Sequence, residues 1–110
     1  MEDEATIVLT YPKAQAILQP SWNWPYSRKD MEIYGKTGAV FIPRPNAMLV
    51  RKGARETEVT PPTLTGANAN QVAYLAAVVR GEIKPSGLSS LDVNMTVVEI
   101  LDAEIGRAHV

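Results

Sequence analysis

Proline and glycine cut the first sixty residues into short runs, and most of these runs alternate apolar with polar side chains. That combination points to strands joined by tight turns. In residues 5–11 (ATIVLTY), Ala5, Ile7, Leu9 and Tyr11 share one face and Thr6, Val8 and Thr10 the other. Pro12-Lys13 reads as a turn. Residues 14–24 (AQAILQPSWNW) alternate again, with Ala14, Ala16, Leu18, Trp22 and Trp24 on one face. Pro20 cannot donate to a ladder, so this strand is an edge or bends there. Residues 30–34 set Met31 and Ile33 against Glu32 and Tyr34. Further strands are expected at 39–42, 47–52 and 56–60, separated by turns at 35–38, 43–46 and 53–54. Short strands with short connections favour an antiparallel meander.

The second half changes period. Residues 68–80 (NANQVAYLAAVVR) place Val72, Leu75, Ala76 and Val79 on one helical stripe, and Gly81 follows as a stop. Ser89 with Asp92 forms a capping-box pattern ahead of a second helix, whose stripe is Leu91, Met95, Val98 and Leu101, widened by Val97. The expected fold is therefore α+β: an open, mostly antiparallel sheet of five or six strands with two C-terminal helices on one face.

With 110 residues the chain is the size of one domain. Its 45% apolar and 21% charged residues are ordinary for a globular protein, and a net charge of −1 gives no reason to expect nucleic acid or an anionic membrane as partner. The chain has no cysteine, which excludes disulfides and thiolate metal sites. No apolar run approaches the ~20 residues of a membrane span. The acidic start, Met1-Glu2-Asp3-Glu4, is unlike a secretory signal, and a cytoplasmic location is expected.

Few residues suggest chemistry. Gly35-Lys36-Thr37-Gly38 lacks phosphate-loop spacing and reads as a hairpin turn. Glu56 and Glu58 share a strand face, which fits a solvated edge better than an acid–base pair. The stretch Trp22-Asn-Trp24-Pro-Tyr26-Ser-Arg28-Lys29 is the most informative. Aromatic faces suit pyranose and nicotinamide rings, and arginine suits carboxylate or phosphate. Trp22, Trp24, Tyr26, Arg28 and Lys29 are thus candidates for a substrate-facing wall; burial of both tryptophans under the helices or in a subunit interface is the alternative. His109, the single histidine, lies in the terminal run Glu104-Ile-Gly-Arg-Ala-His-Val110. Those seven residues can be encoded by a string resembling a common sequencing adapter, so 104–110 is read as a non-native tail without functional weight.

Three segments carry a resemblance: Asp3-Glu-Ala-Thr-Ile-Val-Leu-Thr-Tyr-Pro12, Ser21-Trp-Asn-Trp-Pro25, and Arg28-Lys-Asp-Met-Glu-Ile-Tyr-Gly-Lys-Thr-Gly38. Together with Val78-Val-Arg-Gly-Glu-Ile-Lys-Pro85 and the helical pattern from Ser89 to Ala103, they resemble the C-terminal domain of Gfo/Idh/MocA-type oxidoreductases. A Ser-Trp strand leading into a Glu-x-x-Gly-x-x-Gly hairpin is similar to Ser21-Trp22 followed by Glu32, Gly35 and Gly38. The resemblance covers about residues 2–103. It implies an NAD(P)-dependent enzyme acting on a sugar, cyclitol or related polyol, with a Rossmann domain ahead of this one and homo-oligomers formed through the open sheet face. The glycine-rich dinucleotide fingerprint, the Glu-Lys-Pro motif with its catalytic lysine and the Asp-x-x-x-His motif are all missing here. Lys84-Pro85 sits between the helices and is not that motif. No catalytic or cofactor-binding residue is therefore assigned. The chain is read as a fragment, inactive alone and without NAD or NADP bound to it; a stand-alone, non-catalytic sugar-binding or assembly module is the alternative.

Overall fold

The computed structural model describes residues 3–108, which divide into a unit through Pro62 and a unit from Thr63 onward. The α+β reading holds: six antiparallel strands are followed by two helices. The strands, however, belong to two sheets rather than one continuous meander.

The first sheet is a hairpin. β1 (Ile7–Tyr11) and β2 (Ala14–Leu18) pair through the Pro12-Lys13 turn, with Ile7 opposite Leu18 and Tyr11 opposite Ala14. The same register carries on past the strand ends. The Ala5 amide donates to the Pro20 carbonyl at 3.0 Å, Glu4 bridges to Ser21, and the Trp22 amide donates to the Asp3 carbonyl at 2.8 Å. Pro20 cannot return the Ala5 bond because it has no N–H, and regular strand ends before it. The single long strand expected over 14–24 therefore stops at Leu18.

The second sheet has the order β3-β4-β5-β6, with β3 Met31–Tyr34, β4 Ala39–Arg44, β5 Ala47–Lys52 and β6 Arg55–Val59. β4 runs two residues further than expected, through Pro43 and Arg44. The register slips between Phe41 and Arg44, an irregularity that accommodates a proline inside a strand. The turn that follows is then only Pro45-Asn46, with Asn46 at φ 65°. Gly53 opens the next two-residue turn at φ 59°.

The strand pairing sorts the side chains. Met31, Ile33, Val40, Ile42, Met48, Val50, Thr57 and Val59 share one face, which is apolar apart from the threonine and the paired Lys52 and Arg55 at one end. Glu32, Tyr34, Ala39, Phe41, Leu49, Arg51, Glu56 and Glu58 share the other. As expected, Glu56 and Glu58 are exposed on an edge strand.

In the C-terminal unit a 3-10 turn at Gly66–Asn68 precedes α1 (Gln71–Val79). Asn70 caps α1, its Oδ1 accepting from the Ala73 amide at 2.9 Å. Gly81, at φ 75°, stops it as expected: the Gly81 amide donates to the Val78 carbonyl and the Glu82 amide to the Ala77 carbonyl. α2 spans Leu91–Ala108, so helix continues into the run read as a tail, while His109 lies outside the described residues. Its cap is Ser90, one residue later than expected; Ser90 Oγ accepts from the Val93 amide at 3.3 Å. Ser89 is instead the last residue of a 3-10 turn, Gly87–Ser89. Among the described residues, no helix is long and apolar enough to cross a membrane.

The helical stripes do not behave as the periodicity implied. Val72 and Val79 are 77% and 78% exposed, and Leu91, Met95, Val97, Val98 and Leu101 are exposed as well. The shielded side of α1 is Ala73, Tyr74, Ala76, Ala77 and Val78, of which the expected stripe contained Ala76. Its anchor is Tyr74, whose hydroxyl accepts from the Ser86 amide at 3.1 Å. Ala77, 3% exposed, is the one buried hydrophobic residue among those described.

The chain exposes 10045 Å² in all. A compact 12.0 kDa protein would expose ~6000 Å², and two separate globules of half that mass ~7200 Å². Neither unit has built a core. We expect the isolated chain to self-associate, its mean sedimentation mass rising with concentration; a monodisperse, cooperatively melting monomer would contradict this. A second expectation concerns the hairpin glycines. A Cβ on Gly38 would lie 2.6 Å from the Arg51 carbonyl oxygen, whereas at Gly35 the nearest atom is 3.5 Å away. Gly38→Ala should cost about 1–3 kcal/mol, and Gly35→Ala less than about 0.5 kcal/mol, measured by hydrogen-exchange protection of β4 and β5.

Candidate functional site

The backbone beyond Ser21 is irregular, so the five candidate residues sit on a connecting segment and not on a strand. This corrects the expectation that Trp22 and Trp24 project together from one strand face. They also differ in environment: Trp22 is 88% exposed and Trp24 40%. Ser21 shapes the start of the segment, its Oγ accepting from the Asn23 amide at 3.0 Å.

Trp24 and Arg28 come together. The Arg28 Cζ lies 4.5 Å from the centroid of the Trp24 ring, within cation–π range. The same guanidinium donates through Nε to Asp30 Oδ2 at 2.9 Å. This hydrogen bond, with the carboxylate charge behind it, raises the Arg28 pKa above its ordinary value. Arg28 is thus already engaged on an aromatic face and by an acid. Tyr26 and Lys29 are exposed, and neither hydrogen-bonds to this group.

Trp24 also borders a groove of about 330 Å³. Glu4, Ala5 and Thr6, from the segment before β1, form one side; Gln19, Pro20 and Ser21, from beyond β2, form the other. The proline-interrupted end of the hairpin creates this hollow, because regular pairing there would bring the two segments into flat sheet. Sequence reading selected Trp24 but missed Glu4, Thr6 and Gln19. The signal was present in Pro20, treated only as a bend. A second, more open hollow against α1 is lined chiefly by small residues, with Arg80 and Glu82 at its rim.

The Gly35–Gly38 segment is a turn, as its spacing suggested. Gly35 to Gly38 close a hairpin, with the Gly35 amide donating to the Gly38 carbonyl at 2.8 Å, and the element that follows in the chain is a strand rather than a helix. Among the described residues, no three His, Cys, Asp or Glu side chains gather as metal ligands. No protein-family model, curated protein or solved structure matches the chain.

Glu32, the acid of the hairpin pattern, has a definite partner. Tyr34 donates its hydroxyl to Glu32 Oε2 at 2.7 Å, and its ring meets Phe41 edge-on, 5.8 Å between centroids. The hydrogen bond to Glu32, followed by desolvation and the carboxylate charge, raises the Tyr34 pKa above 10.0. The folded chain then holds this proton more tightly than the unfolded chain. The resulting stabilisation is present below the unfolded value and is lost as pH rises through the folded one. The tyrosinate absorbance of Tyr34, isolated by difference from Tyr34→Phe, should develop above pH ~10, and Glu32→Gln should move it lower. An unmoved titration would show that the pair does not persist in solution.

Proposed function

We propose that this chain supplies the substrate-side and oligomerisation domain of an NAD(P)-dependent oxidoreductase acting on a sugar, cyclitol or related polyol. The observation that carries the reading is the near absence of burial: one buried hydrophobic residue in a chain that is 45% apolar. Side chains arranged on sheet and helix faces but left open fit surfaces that another domain and further copies of the chain cover. The apolar face of the four-stranded sheet is the surface assigned to homo-oligomer contacts. Order and type of elements, six antiparallel strands then two helices, agree with the C-terminal domain of the Gfo/Idh/MocA family that the sequence resembles.

The division of labour follows from the chemistry. NAD or NADP, held by a Rossmann domain, supplies or receives the hydride. This chain contributes a groove wall, with Trp24 as its aromatic floor and Glu4, Thr6, Gln19 and Ser21 as hydrogen-bonding groups suited to hydroxyls. No acid, base or hydride role is assigned to its residues.

The test is genetic and enzymatic together. The natural locus should encode, upstream of these residues, a glycine-rich strand–turn–helix and a Glu-Lys-Pro segment. The joined protein should oxidise or reduce polyols, while the 110-residue chain shows neither turnover nor heat of binding in calorimetric titration with NAD or NADP. Turnover by the chain unaided, or a locus that encodes no such domain, would sink the proposal; the second result with sugar binding retained would favour the non-catalytic module.

A further inference from the structure

Resting on that reading, we infer that the groove beside Trp24 selects neutral polyols over phosphorylated or carboxylated ones, with Glu4 as the residue that sets the selection. The argument is one of charge placement. Among the described residues, Glu4 is the single ionisable side chain bordering the groove, and no lysine or arginine lines it. The nearest cation in chain order that touches a lining residue is Arg28, which meets Trp24. Its guanidinium is committed twice over, to the Trp24 face and to Asp30 at 2.9 Å. An anionic ligand entering the groove would meet the Glu4 carboxylate, while the charge of Arg28 is already balanced by Asp30 through its Nε.

The uncharged lining matches hydroxyls instead. Thr6 and Ser21 offer hydroxyl groups and Gln19 an amide, while Trp24 provides the apolar ring surface that sugar C–H faces stack on. Glu4 accepts hydrogen bonds from hydroxyls as readily as it repels a phosphate. This reverses the simplest reading of Arg28, whose type alone suggests an acid or phosphate site. Here it stiffens the Trp24 wall rather than meeting the ligand.

Equilibrium dialysis of the full chain against radiolabelled glucose, glucuronate and glucose 6-phosphate tests this directly. Glucose should be retained, and the two anions roughly five- to tenfold less strongly, as expected for charges about 5 Å apart in a solvated groove. Glu4→Gln should bring the three towards parity, and Glu4→Lys should invert the order; Glu4 is exposed, so folding is not at stake. Raising the salt concentration should narrow the wild-type difference. Anions held as well as glucose by the wild type, or a ratio indifferent to both Glu4 variants, overturns the inference while leaving the domain assignment intact. Retention of none of the three removes the groove as a site, and the domain assignment then rests on the upstream locus alone.

Discussion

Local hydrogen bonding holds this structure together, with almost no help from buried side chains. Four antiparallel ladders in two sheets, two capped helices and a glycine-terminated α1 pair the backbone within a few residues of itself. Such bonds contribute about 1 kcal/mol each net, against about 1–2 kcal/mol of backbone entropy lost per ordered residue. The balance does not favour folding until apolar side chains leave water, at about 1.5–3 kcal/mol for each large one. Met31, Ile33, Leu75, Leu91 and Leu101 are all in place to do so and all exposed. Covering them would supply the burial that the ladders lack.

The same locality explains what was legible in the sequence. Strand period depends on neighbours two residues apart, and turn chemistry on single glycines and prolines, so β1, β3, β5 and the turns at Pro12-Lys13 and Gly53-Ala54 follow from the text of the chain. The stop at Gly81 is of the same kind. Errors arose where a non-local or geometric term decided. Pro43 sits inside β4 because a register slip absorbs it. The α1 stripe was chosen by side-chain size, whereas the Schellman turn and the Tyr74–Ser86 bond fold the connector over the side bearing Ala77.

The candidate site was half legible for a related reason. Residue type marked Trp24 and Arg28 as candidates to face a substrate, but not as partners of each other or of Asp30. Alternation carried through Pro20 put both tryptophans on one strand; one missing N–H ended that strand and separated them. Glu4, Thr6 and Gln19 carry no compositional mark at all. They become neighbours because the hairpin register continues beyond its last regular pair while its geometry does not.

The two surfaces that matter draw on different residues. The groove uses the frayed end of the β1–β2 hairpin and the segment after it, whereas the apolar face belongs to β3 through β6. A partner can therefore cover Met31, Ile33, Val40 and Val50 without using any residue that lines the groove. The chemistry of the two also differs: one is mostly aliphatic, with Lys52 and Arg55 at one end, and the other is polar with a single aromatic wall and the Glu4 carboxylate. Covering the first gives back the burial that the ladders lack, and it leaves the second wet and reachable. A chain with one surface for stability and another for ligand can be unstable alone and still carry a specific site, because the residues that fail to bury are not those that line the groove.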